Sequence, residues 1–252
     1  MAERETAATD ESTTTWSPIV ELRQYTLHPG ARDELIELFD REFVESQETL
    51  GTKVIGQFRT PDDPNRFIWL RGFPDMATRA RALQNFYDGP VWKRHRDAAN
   101  ATMIDSDNVL MLRPARTGSG FALSSERPPV GSEKIPNGLI VATIYHLDES
   151  NAERLCSVFE QAFASGPADV GASILAVFAT ETAPNNFPRL PIREGEQVLV
   201  CFTGFADEEA YDRHRAGLAA TNLGETFARE FDTVERETWR LRPTARSQLR
   251  GS

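Results

Sequence analysis

The sequence is poor in the residues that cross-link chains or bind metals. Its 252 residues include only two cysteines and four histidines, and no metal-ligand spacing connects them. A chain of this length buries enough surface to fold without disulfides. Cys156 and Cys201 both have apolar neighbours in sequence, so we expect them to be buried free thiols.

Neither an excess of positive charge nor a long apolar run is present. The formal net charge is −10 at pH 7, which disfavours binding to phosphate backbones or to anionic lipid. No apolar run approaches the roughly 18 residues of a membrane span, and residues 1–17 lack the apolar core of a signal peptide. We therefore expect a cytoplasmic protein without nucleic-acid or membrane partners, in which residues 1–17 form a disordered leader.

The local motifs of several large enzyme classes are also missing. There is no GxGxxG after a strand-like run, no P-loop and no GxSxG, so nucleotide-binding and serine-hydrolase functions have no support. We predict no cofactor, although a heme, which needs only one histidine ligand, stays open.

The sequence does contain internal similarity, because residues of its first half recur at regular offsets in its second half. The offset is 120 residues, then 132 beyond an insertion in the second half, then 129 after a loss of three residues, and at these offsets aromatic residues, a leucine and a Leu-Arg-Pro sequence recur. The matches are Tyr25 with Tyr145, Leu35 with Leu155, Phe39 with Phe159, Phe43 with Phe163, Phe58 with Phe178, Phe73 with Phe205, and Leu112-Arg113-Pro114 with Leu241-Arg242-Pro243. This register predicts a tandem duplication.

The hydrophobic pattern within the first copy changes between strand and helix periods. The predicted elements are a strand over 19–27, a helix carrying Leu35 to Phe43, strands over 53–59 and 67–73, a helix from Asp75, a helix over 91–101 and a strand over 109–112. Pro29-Gly30 ends the first strand, and the Pro61 to Asn65 cluster makes the turn between the second and third.

This β-α-β-β-α-β order is that of the ferredoxin-like fold, in which an antiparallel sheet carries helices on one face only. Two such sheets can bury their open faces against each other. We therefore predict an α+β protein of two ferredoxin-like halves, residues 18–115 and 138–244, that form one α/β barrel. Residues 116–137 would be the linker and 245–252 a tail. The chain would close its own barrel as a monomer, or form a homodimer.

Two segments of the first copy carry a family resemblance. Residues 20–30, Val-Glu-Leu-Arg-Gln-Tyr-Thr-Leu-His-Pro-Gly, and Gly89-Pro90-Val91-Trp92 resemble the opening signature and the late helix of the NIPSNAP family. The resemblance covers residues 19–115 well and residues 139–244 only as a diverged second copy. It implies the dimeric α/β-barrel superfamily, whose branches include cofactor-free monooxygenases, isomerases and heme-using enzymes, and it does not imply one activity.

A comparison of the two copies singles out candidate site residues. The first copy places charged, polar or large aromatic residues where the second places small or apolar ones. The matched positions are Glu21 and Val141, Arg23 and Thr143, Gln57 and Val177, Trp69 and Cys201, Arg71 and Thr203, Trp92 and Gly224, and His95 and Phe227. Polar groups are costly to bury without partners, so this contrast predicts a polar pocket in the first copy.

We predict catalytic roles for His95, Arg23 and Tyr25, because arginine stabilises an oxyanion and histidine or tyrosine can move a proton. Substrate-binding roles are predicted for Glu21, Gln57, Trp69, Arg71 and Trp92. Structural roles are the alternative. Glu21 and Arg23 could pair only to hold the sheet together, the two tryptophans and Tyr25 could be core, and His95 lies in a basic run typical of a solvated helix face.

These candidate residues are compatible with two functions. One is a small-molecule enzyme acting on a phenolic or enolic substrate as a cofactor-free oxygenase, isomerase or lyase. The other is a non-catalytic ligand-binding or scaffold protein. A cavity with convergent polar groups in the first half would favour the enzyme, and a filled barrel would favour the scaffold.

Overall fold

The computed structural model describes residues 17–123, 126–148, 154, 157, 172–218 and 234–251. Within these residues the strands are β1 (Ile19–Leu27), β2 (Lys53–Arg59), β3 (Arg66–Phe73), β4 (Met103–Asp105), β5 (Val109–Pro114), β6 (Leu139–His146), β7 (Ser173–Thr180), β8 (Val198–Phe205) and β9 (Arg236–Pro243). The helices are α1 (Arg32–Leu38), a π-helical segment (Phe39–Phe43), α2 (Val44–Glu48), α3 (Met76–Tyr87), α4 (Pro90–Thr102) and α5 (Glu208–Leu218).

Eight of these strands form a closed antiparallel barrel. The order around it is β1-β3-β2-β9-β6-β8-β7-β5, and β5 returns to β1, while the short β4 extends the pairing of β1 at one end. Each half contributes four strands in the order last-first-third-second, which is the ferredoxin-like order. The predicted α+β fold, with both halves in one closed barrel, is therefore confirmed.

The two seams between the halves have matching registers. Phe58 of β2 pairs with Pro243 of β9, and Phe178 of β7 pairs with Pro114 of β5. These are the same two positions in each half. A duplicated unit would produce such a match, because a two-fold relation between halves carries one seam onto the other.

Apolar side chains from both halves occupy the barrel interior. The inward positions of β1 are Val20 and Leu22, and they belong to one buried cluster with residues of the other strands. Phe121 of the linker and Leu249 of the C-terminal segment also enter this cluster. The linker and tail therefore help to fill the barrel, because each places one apolar side chain among the inward-facing residues.

The outer face of the first half is covered by helices α1 to α4. The sequence predicted helices in all three of these regions, around Leu35 to Phe43, from Asp75 and over 91–101, but neither the π-helical segment nor β4. Asp75 caps α3 by accepting a hydrogen bond of 2.6 Å from the Thr78 amide, as expected for an aspartate at this position. Ser17 is buried and lies against Gly72, whereas residues 1–16 fall outside the described part of the chain.

Several sequence predictions for the second half also fall outside the described residues. They concern Leu155, Phe159, Phe163, Cys156, Gly224 and Phe227. Among the residues that are described, no helix has the length and apolar character of a membrane span.

Candidate functional site

The site lies on the outer face of the first-half sheet, beneath its helices. Glu21, Arg23 and Tyr25 alternate along β1, so their side chains share this face while Val20 and Leu22 point into the barrel. The β1–β3 register places Arg71 opposite Glu21 and Trp69 opposite Arg23. Neighbouring strands thus bring together five of the residues that the sequence singled out.

Glu21 is the centre of a buried ion cluster. One carboxylate oxygen accepts hydrogen bonds from Arg23 Nη1 at 2.7 Å and Arg71 Nε at 2.8 Å, and the other accepts one from Arg79 Nε at 2.6 Å. All four side chains are at least 99% buried. One negative charge therefore faces three positive charges, and the cluster carries an excess of positive charge away from water.

The cluster keeps Glu21 ionised. Burial alone would raise its pKa, but the guanidinium groups of Arg71, Arg23 and Arg79 outweigh burial and hold the pKa well below its usual range. The sequence singled out Arg23 and Arg71 but not Arg79. The signal that could have found Arg79 is its helical spacing in α3 from the other buried residues, Ala82, Leu83 and Phe86.

Arg23 connects the ion cluster to Tyr25. Its Nε atom donates a hydrogen bond of 3.0 Å to the Tyr25 hydroxyl. Burial raises the pKa of Tyr25 above its ordinary value, although Arg23 acts in the opposite direction. The phenol is therefore neutral near pH 7, and its proton is available to another acceptor because the oxygen already accepts from Arg23.

A small aromatic cavity lies next to Tyr25. It has a volume of about 30 Å³ and is lined by Tyr25, Leu35, Phe39, Phe43, Gln47, Trp69, Phe86, Tyr87, Trp92, Ala99 and Met103. The indole N–H of Trp69 is buried and has no hydrogen-bond partner among the described residues. A space of this size holds about one water molecule, so the cavity walls are closely packed.

The helical region that lines the cavity contains a π-helical segment. Between α1 and α2 the chain forms a π-helical segment, Phe39–Phe43, whose two phenylalanines both line the cavity. Such π-helical insertions are rare and occur frequently at functional sites. Gln47 follows one turn later, donates to the Phe43 carbonyl at 2.9 Å and accepts from Arg71 Nη1 at 3.2 Å. It links the ion cluster to the cavity wall.

Two of the sequence-predicted residues lie away from this cavity. Nε2 of His95 is 3.6 Å from Glu42 Oε2, and its ring contacts that of Phe43 at a centroid distance of 6.3 Å. His95 is not among the lining residues. Gln57 lies on β2 and donates a hydrogen bond of 2.8 Å to Asp40 Oδ1. Trp92, in contrast, lines the cavity, and its substrate-binding role stays a prediction.

The corresponding face of the second half has different chemistry at the described positions. The β6–β8 register pairs Val141 with Thr203 and Thr143 with Cys201, so none of these four is charged. Burial raises the pKa of the Cys201 thiol to about 12, and that cysteine is a free, buried thiol as the sequence predicted. Within the described residues, no group of three or more histidine, cysteine, aspartate or glutamate side chains could hold a metal ion.

Comparisons with known proteins find a family match to the first half and structural matches to the overall fold. The NIPSNAP family model matches residues 20–118. The structure is similar to a candidate monooxygenase from Lactobacillus acidophilus NCFM, with a TM-score of 0.56, 16% identity and coverage of 90% of this chain and 94% of that one. A candidate monooxygenase from Fusobacterium nucleatum gives a TM-score of 0.57 at 12% identity, with 90% and 93% covered.

A NIPSNAP-like domain protein from Burkholderia xenovorans is 26% identical over 44% of this chain and 92% of that chain, with a TM-score of 0.36. No curated protein matches the chain. At these identities the two full-length structural matches establish the fold and leave the reaction open.

Proposed function

We propose a function from the site itself, because residues 20–118 match the NIPSNAP family model and that family does not imply one activity. The chain is a small-molecule enzyme that binds a phenolic or enolic substrate between the helices and the outer sheet face of the first half. The observation that carries this proposal is that Tyr25 and Trp69, whose buried indole N–H has no partner among the described residues, line the same aromatic cavity.

A phenol or enol oxygen fits these two donors. It would accept one hydrogen bond from Trp69 Nε1 and one from the Tyr25 hydroxyl, while aromatic walls contact the substrate ring. The guanidinium carbon of Arg23 lies 5.6 Å from the centre of the Trp69 ring and that of Arg71 lies 5.2 Å from it. Negative charge that develops on the substrate oxygen would therefore be stabilised by nearby positive charge in a dry environment.

Oxygenation through a substrate carbanion, isomerisation and elimination all need such a stabilised oxyanion. Tyr25 is the better placed of the candidate proton-transfer groups, because it lines the cavity and Arg23 holds its oxygen. His95 is not a lining residue, and its ring contacts that of Phe43 on the cavity wall. Since the present volume is about 30 Å³, a phenol enters only if partly exposed wall residues such as Trp92 and Met103 move.

Ligand binding tests the proposal directly. 4-Fluorophenol can be titrated with the wild-type protein and followed by ¹⁹F NMR. Trp69→Phe keeps an aromatic ring and removes the N–H, so we expect a dissociation constant about tenfold higher, as for loss of one hydrogen bond of roughly 1.4 kcal/mol. Trp239→Phe in the second half is the matched control and should leave the affinity unchanged. Equal affinity in wild type and Trp69→Phe would contradict the proposal.

A non-catalytic ligand-binding or scaffold function is the second candidate. It is favoured by the apolar residues that occupy the barrel interior and by the mutual pairing of the Glu21 cluster. Mass spectrometry of the purified protein separates the two candidates further. A co-purified phenolic or enolic compound rules out the scaffold, and its conversion to a product by the protein then distinguishes the enzyme from a ligand-binding protein. A ligand-free protein that also fails to bind 4-fluorophenol supports the scaffold.

A further inference from the structure

We infer that an inserted segment of the second half completes the first-half site and sets the size of ligand that it accepts. The segment is residues 181–197, between β7 and β8, and it is longer than the connection of residues 60–65 between β2 and β3. The inference rests on the proposed function for its ligand. Asn186 acts as a positioning residue for Arg79, and Phe187 as a positioning residue for Tyr87.

The polar connection runs through Arg79. Its Nη1 atom donates hydrogen bonds to Asn186 Oδ1 at 2.7 Å and to Asn185 Oδ1 at 3.1 Å, while its Nε atom holds Glu21. Glu21 in turn binds Arg71, whose Nη1 atom donates to Gln47 on the cavity wall. Hydrogen bonds thus connect the second-half segment to the first-half cavity, and every charged side chain in this connection is buried.

Both asparagine side chains are held in place by their own donors. Asn186 Nδ2 donates to the Met76 carbonyl at 2.6 Å, and Asn185 Nδ2 donates to the Leu190 carbonyl at 2.9 Å. Each amide therefore donates through its nitrogen to a backbone carbonyl and accepts from Arg79 through its oxygen, and the Asn185 oxygen also accepts from the Phe187 amide at 3.1 Å. The start of α3 and the inserted segment are joined by these contacts, so neither can shift without moving the guanidinium.

The apolar connection runs through Tyr87. Phe187 is 5% exposed and stacks on the Tyr87 ring at a centroid distance of 6.0 Å and an interplanar angle of 26°. Tyr87 makes an edge contact with Trp92 at 4.9 Å, and both rings line the cavity. Phe187 therefore supports the cavity wall from behind, and a smaller side chain there would let that wall retreat.

The outer end of the segment contributes little to this arrangement. Arg189 pairs with Asp88 at 2.8 Å, but both side chains are about half exposed, and such surface pairs have small effects. The contacts that reach the site are the two asparagine oxygens on buried Arg79 and the buried ring of Phe187.

A size comparison tests the role of Phe187. The dissociation constants of phenol and 2-naphthol are measured for wild type, Phe187→Leu and Phe121→Leu. We expect Phe187→Leu to shift the preference toward 2-naphthol by about threefold or more. Phe121 is a fully buried phenylalanine of the barrel interior, so Phe121→Leu controls for lost packing and should leave the ratio unchanged. An unchanged ratio in Phe187→Leu would overturn the inference.

Asn186 is tested by rescue. Asn186→Ala removes the nearer of the two asparagine acceptors of Arg79 Nη1 and should weaken binding of both probes by about tenfold. Asn186→Asp keeps an acceptor oxygen and should restore most of the affinity, an effect that lost packing alone would not produce. If both variants bind like wild type, Asn186 does not position Arg79.

Failure of the proposed function is a separate result. If wild type binds neither phenol nor 2-naphthol, that function is wrong, and amide hydrogen exchange then tests the connection between the halves. Asn186→Ala and Phe187→Leu should accelerate exchange in α3 more than in β6 and β8. Unchanged α3 protection in both variants would overturn the inference regardless of any ligand.

Discussion

Glu21 of β1 and Arg79 of α3 lie 2.6 Å apart, carboxylate oxygen to guanidinium nitrogen, and both side chains are fully buried. This contact fixes α3 to the sheet and brings a third positive charge to one carboxylate. Removing a partner from a buried ion pair costs more than the pair contributes, because the remaining charge keeps its desolvation penalty. We therefore expect substitution of Glu21 to destabilise the protein more than substitution of any other residue of the cluster.

Glu21→Gln should lower the free energy of unfolding by about 3–5 kcal/mol, because it leaves three arginines without their carboxylate. Urea denaturation measures this change. Glu37→Gln is the control, since Glu37 is 78% exposed and pairs with Arg41 on the surface, where losses stay below about 1 kcal/mol. Similar stability of Glu21→Gln and wild type would show that the cluster does not depend on this charge.

Acid should remove the same stabilisation. The pKa of Glu21 in the folded protein lies below its ordinary value of 4.5, so its contribution is complete above that value and declines as the pH falls toward the lowered folded pKa. Urea midpoints of wild type and Glu21→Gln should therefore converge from about pH 4.5 downward. A difference that stays constant down to the pH of acid unfolding would contradict the assigned direction.

The sequence predicted much of this site because strand alternation is a simple rule. Glu21, Arg23 and Tyr25 had to share one face of β1, and the contrast with the second copy pointed to Trp69 and Arg71. Other contacts depend on tertiary structure that has no local signal. Nothing near Asn186 in sequence indicates that it meets Arg79, since the two are brought together only by barrel closure.

The π-helical segment was missed for a related reason. Leu35, Leu38, Phe39 and Phe43 fit an ordinary helix, and one extra residue in a turn leaves that pattern almost unchanged. His95 is a different case, because its residue type did not indicate its contacts. Its residue type suggested proton transfer, but the turn of α4 that carries it faces Glu42 and Phe43, and its predicted catalytic role stays a prediction.

Cys201 should be unreactive in the folded protein. Burial raises the pKa of its thiol to about 12, and the thiolate is the reactive form. In a Cys156→Ser background, iodoacetamide at pH 8.5 should label the folded protein far more slowly than the urea-unfolded protein. Equally fast labelling in both states would show that this face of the second half is open to solvent.

His95→Phe should leave the affinity for 4-fluorophenol unchanged within about twofold, because His95 does not line the cavity and its ring contact with Phe43 can be kept by phenylalanine. Titration followed by ¹⁹F NMR checks this. A large loss of affinity would place His95 in contact with the ligand and restore it as the first candidate for proton transfer.

The charge of the cluster should also change the acidity of a bound phenol. Burial opposes ionisation here, as it does for Tyr25, whereas Arg23 and Arg71 lie close to the Trp69 ring and favour the phenolate. The proposed oxyanion site requires that the arginines and the two donors outweigh burial, so that the pKa of the bound phenol falls below the ordinary phenolic value of about 10.

The ¹⁹F chemical shift of 4-fluorophenol reports its ionisation, and a pH titration of the bound form should give an earlier midpoint than that of the free form. Tyr25→Phe removes one donor to the phenolate and should move the midpoint back toward the free value. Tyr145→Phe, the matching change in the second half, should have no effect. If the bound and free phenol ionise together in wild type, the arginines do not stabilise an oxyanion, and their role is to hold Glu21 and the helices in place.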